Sequence, residues 1–148
     1  MAILVKLEGE EEWLIDVGFG DLFIEPIRII PEVIQPDQFK NYRITKTDQS
    51  NFILSESLKD RLQFLNKYLF SLQSREIDEF KDQNEFKQHS PKSHFVKNTI
   101  CTLPTETGRK TIKNNNYKLR EGNLIEEKEI MGKEDFMSLL HKEFNIEI

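Results

Sequence analysis

Several features common in chains of this size are scarce here, and each absence excludes something. One cysteine, Cys101, leaves no partner for an internal disulfide, and no Cys/His cluster stands at metal-ligand spacing, so no metal is expected. No basic block and no interleaving of arginine with aromatics occurs, and the net charge is −5, which argues against nucleic acid. The opening Met-Ala-Ile-Leu-Val-Lys lacks a basic n-region, and its apolar run is too short for a signal peptide or a membrane span. The expected compartment is therefore the cytoplasm. Internal repeats and low-complexity linkers are also missing.

What remains is a polar chain of 148 residues, 32% charged and 37% hydrophobic, with phenylalanine over-used at 11 against 3 tyrosines. That length suits one domain, or one and a half small ones, with a core leaning on phenyl rings. Ala2 to Leu7 and Trp13 to Val17 read as antiparallel strands joined by the acidic tip Glu8 to Glu12. Tyr42 to Thr47 and Asn51 to Leu58 read as a second hairpin, and Leu62 to Leu72 as mostly strand. Ser74 has the character of an N-cap, with Glu76, Asp78 and Glu79 in the following turn of a peripheral helix that ends before Pro91. Phe95 to Leu103, Lys110 to Lys113, Tyr117 to Arg120 and Leu124 to Ile130 read as further strands. A closing helix spans about Lys133 to Phe144, with Phe136, Leu139, Leu140 and Phe144 on one face and Gly132 as a possible cap. Many short antiparallel strands with two helices predict an α+β fold: a β-barrel-like domain over residues 1–73, then a smaller α/β lid-type domain over 74–148.

The most informative stretch is Trp13-Leu14-Ile15-Asp16-Val17-Gly18-Phe19-Gly20. A buried strand ending on a carboxylate beside two glycines suits an aspartate that orients a histidine, the third member of a nucleophile–base–orienter set. The same Asp-x-Gly pattern is ordinary turn chemistry, in which the carboxylate caps backbone N–H groups. Cys101, inside an alternating strand with no helix start beside it, has the setting of a packing residue. His89 and His94 flank Ser90-Pro91-Lys92-Ser93, a loop that could hold a phosphate-bearing ligand or could be plain loop composition. His141 suits a helix surface. A good aspartate thus stands in a chain with no convincing nucleophile or base.

Taken in order, these segments resemble the arylamine N-acetyltransferase family: the Asp16-Val17-Gly18-Phe19-Gly20 element, then Tyr68-Leu69-Phe70-Ser71-Leu72, Asp78-Glu79-Phe80, Asn84, Ser90-Pro91-Lys92-Ser93, Phe95 and the closing Phe144-Asn145-Ile146. The resemblance implies acetyl-CoA-dependent acetylation of arylamines, hydrazines or N-hydroxyarylamines through an acyl-cysteine. It makes Asp16 the orienting carboxylate, places Phe19, Asp21 and Phe23 at the acceptor pocket, and places Phe86, Lys92 and Ser93 near coenzyme A. Phe86 stands where a tyrosine is common, so a phenol contact is lost. The family's cysteine lies in an N-terminal helical domain and its histidine just before the strand at Ala2. The resemblance therefore implies a chain corresponding to the second and third domains, without nucleophile or base and inactive alone. The other reading is a non-catalytic coenzyme A-binding or interaction module. Uncovered apolar surface would then call for a homodimer or a separate helical-domain partner.

Overall fold

The computed structural model describes residues 2–9, 11–61, 63–122 and 124–147. Its contacts divide the chain into two compact units, Met1–Ser74 and Arg75–Ile148. Both combine antiparallel sheets with irregular connections, and the second adds helices, so the chain is α+β.

Unit 1 carries two sheets. Strands β1 (Ile3–Lys6), β2 (Glu12–Ile15) and β3 (Ile27–Arg28) form one, ordered β1-β2-β3, with Ile3 opposite Ile15 and Val5 opposite Trp13. Strands β4 (Ile34–Pro36), β5 (Lys40–Lys46), β6 (Asn51–Leu58) and β7 (Leu65–Ser71) form the other in sequence order. Among the described residues no strand pairing closes either sheet into a barrel. The prolines at 31 and 36 limit β4 to three residues on the sheet edge, where a missing N–H costs least. Alternation along β5 and β6 sends Tyr42, Ile44, Phe52 and Leu54 to one face, where they meet Leu14, Leu22, Phe23 and Ile27 in a single buried cluster.

In the β6–β7 ladder Leu54 faces Tyr68 while Ser55 faces Asn66, so Lys67 is the extra residue of a β-bulge. A bulge re-aims side chains locally, and neighbours that would point to opposite faces can then serve the same one.

Unit 2 holds a four-stranded sheet ordered β11-β10-β9-β8, from β8 (Ile100–Pro104), β9 (Gly108–Lys113), β10 (Asn116–Glu121) and β11 (Leu124–Glu129). A 3₁₀ turn (Ile77–Phe80) leads into α1 (Lys81–His89), followed by the single turn α2 (His94–Lys97) and the longer α3 (Gly132–Phe144). Leu140 and Phe144 of α3 join Ile112, Tyr117 and Ile130 in the core. Asp135 Oδ2 accepts from the Met131 N–H at 3.0 Å, so a side chain one turn in closes the N-terminus of α3, with Met131 rather than Gly132 at the cap position.

Two local expectations change. The first helix is entered at Glu76 and not at Ser74: the Glu76 N–H donates to Glu79 Oε2 at 2.7 Å. Phe95 to Lys97 are helical, not strand, because Ser93 Oγ accepts from the Phe95 N–H at 3.2 Å and caps a turn there; the strand starts at Ile100.

The Tyr117 phenol is pushed up to about 12 by burial first, then by Glu143, to whose Oε2 it donates at 3.3 Å. A pKa raised in the folded state gives stability that is complete below the unfolded value near 10 and is lost as pH climbs through about 12. Unit 2 should therefore lose thermal stability between pH 10 and 12, and Tyr117→Phe should flatten that loss in a pH series of melting curves.

Candidate functional site

Asp16 follows directly on β2, half-buried, where the strand gives way to the loop 17–21. Its Oδ1 accepts from the Gly18 N–H at 2.9 Å and the Phe19 N–H at 3.1 Å. Both bonds use one oxygen, Oδ1, and tie the carboxylate to the loop. Gly20, at φ +81°, is the loop residue whose conformation disfavours a side chain; Gly18 contributes its amide instead.

Tyr68 is the neighbour that local sequence reasoning did not assign to the site. Its hydroxyl is buried and meets no hydrogen-bond geometry among the described residues. Burial first, and then the nearby Asp16 carboxylate, raise its pKa well above the usual phenol value. The phenol is directed toward the Asp16 carboxylate and stays protonated, a neutral donor beside it. The Tyr68 ring also lies 6.0 Å from that of Phe19, and Lys67 Nζ sits 5.5 Å from the Phe19 centroid. Two consecutive β7 residues reach one ring because of the bulge at Lys67. Only the pairing across β6 reveals this.

The predicted acceptor residues occupy different environments. Phe19 is 48% exposed at the loop crest. Asp21 is exposed and lies close to Lys40, whose Nζ donates to the Asp21 carbonyl at 3.1 Å. Phe23 is 8% exposed, packed edge-on against Tyr42 at 5.6 Å between centroids, so its ring belongs to the core.

In unit 2, Phe86 is a half-exposed residue of α1, and Lys92 is exposed in the turn between α1 and α2. Ser93 is 2% exposed, and its hydroxyl is committed to the chain: Oγ donates to the Lys87 carbonyl at 2.8 Å and caps α2. What it can offer a ligand is the shape of the turn. Lys87, Gln88, Phe95 and Val96 line an open depression of about 430 Å³ beside that turn.

The remaining chemistry-bearing residues are engaged locally. His89 lies 3.9 Å from Glu85, His94 contacts Asn98 at 3.0 Å, and His141 lies 3.3 Å from Glu147. Burial pushes the Cys101 thiol up, the reverse of nucleophile activation, and its side chain packs on the unit 2 core. Cys101→Ala should cost unit 2 about 1 kcal/mol, read by melting curves. No group of three or more His, Cys, Asp or Glu that could hold a metal occurs among the described residues. No helix there is long and apolar enough to cross a membrane.

A family model described as N-acetyltransferase matches residues 1–148. The chain is 26% identical to arylamine N-acetyltransferase 1 of Oryctolagus cuniculus, covering 100% of this chain and 58% of that protein. It is 25% identical to arylamine N-acetyltransferase of Escherichia coli, covering 97% and 51%. The structure of the Salmonella typhimurium arylamine N-acetyltransferase superposes with a TM-score of 0.86 at 25% identity, over 98% of this chain and 53% of that one. The Mycobacterium marinum enzyme in complex with CoA shares the fold, with a TM-score of 0.85 at 21% identity, over 98% and 53%. The chain spans about half the length of these relatives.

Proposed function

Because the chain belongs to the arylamine N-acetyltransferase family, we propose that it supplies the carboxylate-bearing part of an acetyl-CoA:arylamine acetyltransferase site. Asp16 is its orienting residue, and the observation that carries this reading is its geometry. One oxygen is held by two backbone amides, and a protonated phenol stands beside the carboxylate.

In this reading an imidazole and a thiol come from outside the 148 residues, since the histidines and Cys101 are occupied elsewhere. Asp16 holds the imidazole N–H, so that the other ring nitrogen faces the thiol and takes its proton. The thiolate attacks the acetyl-CoA thioester, releasing CoA thiol and leaving an acyl-cysteine. The amine nitrogen then attacks that carbonyl, the imidazole, which has given its proton to the departing CoA thiol, takes the amine proton, and the thiolate leaves. Phe19 forms the exposed aromatic wall for the acceptor, with Asp21 at its edge and Phe23 backing it from the core. Lys92 offers a cation to the coenzyme phosphates, on a turn set by Ser93, with Phe86 alongside. The aspartate unit is read as the family's barrel-like second domain, supported by the core its two sheets share, and the other unit as its lid.

Exposed apolar residues at Ile3, Leu4 and Val17 support a further segment covering the first sheet, as a helical domain or a second copy would. The direct test is acetyl-CoA-dependent acetylation of an aromatic amine. The isolated chain should show no turnover, and joining it to a Cys/His-bearing helical half should restore it. Turnover by the chain alone would refute the assignment of nucleophile and base.

A further inference from the structure

Three strands of unit 1 bring together a charge cluster that neither turn chemistry nor packing accounts for. Lys40 on β5, Glu56 on β6 and Lys67 on β7 meet with side chains 14%, 13% and 24% exposed. Glu56 Oε2 accepts from Lys40 Nζ at 2.9 Å, and Glu56 Oε1 accepts from Lys67 Nζ at 3.0 Å. Each carboxylate oxygen therefore has its own ammonium.

Two cations sharing one anion leave an excess positive charge in a poorly hydrated place, and that excess needs acceptors. The loop provides them on both sides of Gly20. Lys40 donates to the Asp21 carbonyl at 3.1 Å and lies 3.8 Å from the Asp21 carboxylate. Lys67 presents its charge to the face of Phe19 at 5.5 Å. One carboxylate thus holds the two lysines that grip the loop at residues 19 and 21.

We propose that Glu56, through Lys40 and Lys67, is a positioning residue that sets where the 18–21 loop lies. Its role in acceptor binding rests on the reading of Phe19 as the acceptor wall. Glu56→Gln keeps the size of the side chain but replaces the charge with an amide that can satisfy only one ammonium. Lys67 then loses its anchor, and so does the Phe19 ring beneath it. Lys40→Met removes the grip at Asp21 while the Glu56–Lys67 pair stays, and Lys40→Arg restores a cation of similar reach.

The test is residue-resolved amide hydrogen exchange on the full chain, with aniline titrated as a probe of Phe19. In Glu56→Gln and Lys40→Met the amides of Gly18, Phe19 and Gly20 should exchange at least tenfold faster. Those of Ile44 and Leu54, in the ladder beneath, should stay within twofold, and Lys40→Arg should return the loop to parental rates. Aniline affinity should fall at least threefold in both loss variants. Unchanged loop exchange overturns the proposal, as does equal acceleration throughout unit 1, which would make Glu56 a general stabiliser. Faster loop exchange in a chain that binds no aniline supports the positioning role and removes the acceptor reading of the loop.

Discussion

Asp16→Asn, in a protein that joins this chain to the proposed thiol and imidazole, should slow acetyl transfer about 10⁴-fold, the scale seen when a triad aspartate loses its charge. The substitution is nearly isosteric, and the amide oxygen can still accept from the Gly18 and Phe19 N–H groups, so the loop keeps its shape. Lost is the negative charge that, in the proposed role, would stabilise an imidazolium. The new NH2 group faces the imidazole as a donor and favours the wrong tautomer. The melting temperature should hardly move, because the change costs no more than about 0.5 kcal/mol at a half-buried site. Measuring kcat/KM together with thermal stability separates the two effects. A rate loss below tenfold with the fold intact would take Asp16 out of the chemistry.

The largest expected effect on stability lies elsewhere, at Gly108. This buried glycine opens β9 opposite Glu121 of β10. A Cβ at position 108 would lie 1.6 Å from the carbonyl oxygen of Arg120 and 2.5 Å from its carbonyl carbon. No rotamer change relieves a clash with backbone, so Gly108→Ala must push β9 and β10 apart at that end. The ladder there also anchors the chain around it: Thr105 N–H donates to the Gly108 carbonyl at 3.0 Å, and Gly122 N–H to the Thr107 carbonyl at 2.9 Å. We expect Gly108→Ala to cost unit 2 about 3 kcal/mol or more, a large share of what a small domain possesses. Gly122→Ala, at φ +55° with no atom within 4 Å of the added Cβ, should cost less, because only backbone strain opposes it. Chemical denaturation of the two variants should rank them in that order; equal midpoints would show that β9 and β10 can separate freely.

The sequence by itself determined the features that depend on near neighbours. Alternation over Tyr42 to Thr47 and Asn51 to Leu58 is enough to define β5 and β6, since a period of two sorts side chains before any partner is known. The stripe of Phe136, Leu139, Leu140 and Phe144 defines α3 in the same way. Asp16 bonding to amides two and three residues ahead is likewise local chemistry. Tertiary structure decided what depends on distant strands meeting. The bulge at Lys67 places Lys67 and Tyr68 together at Phe19, and no pattern within Leu65–Ser71 announces it, because a bulge is defined by the register of the opposing strand. The same holds for Glu56, whose two lysines come from strands 16 and 11 residues away. It holds for Phe23, which looks interchangeable with Phe19 in sequence until the core claims its ring. Short-range hydrogen bonds and periodicity are written along the chain. The surroundings of a carboxylate depend on which strands pair and in what register, and that is settled only when the sheets form.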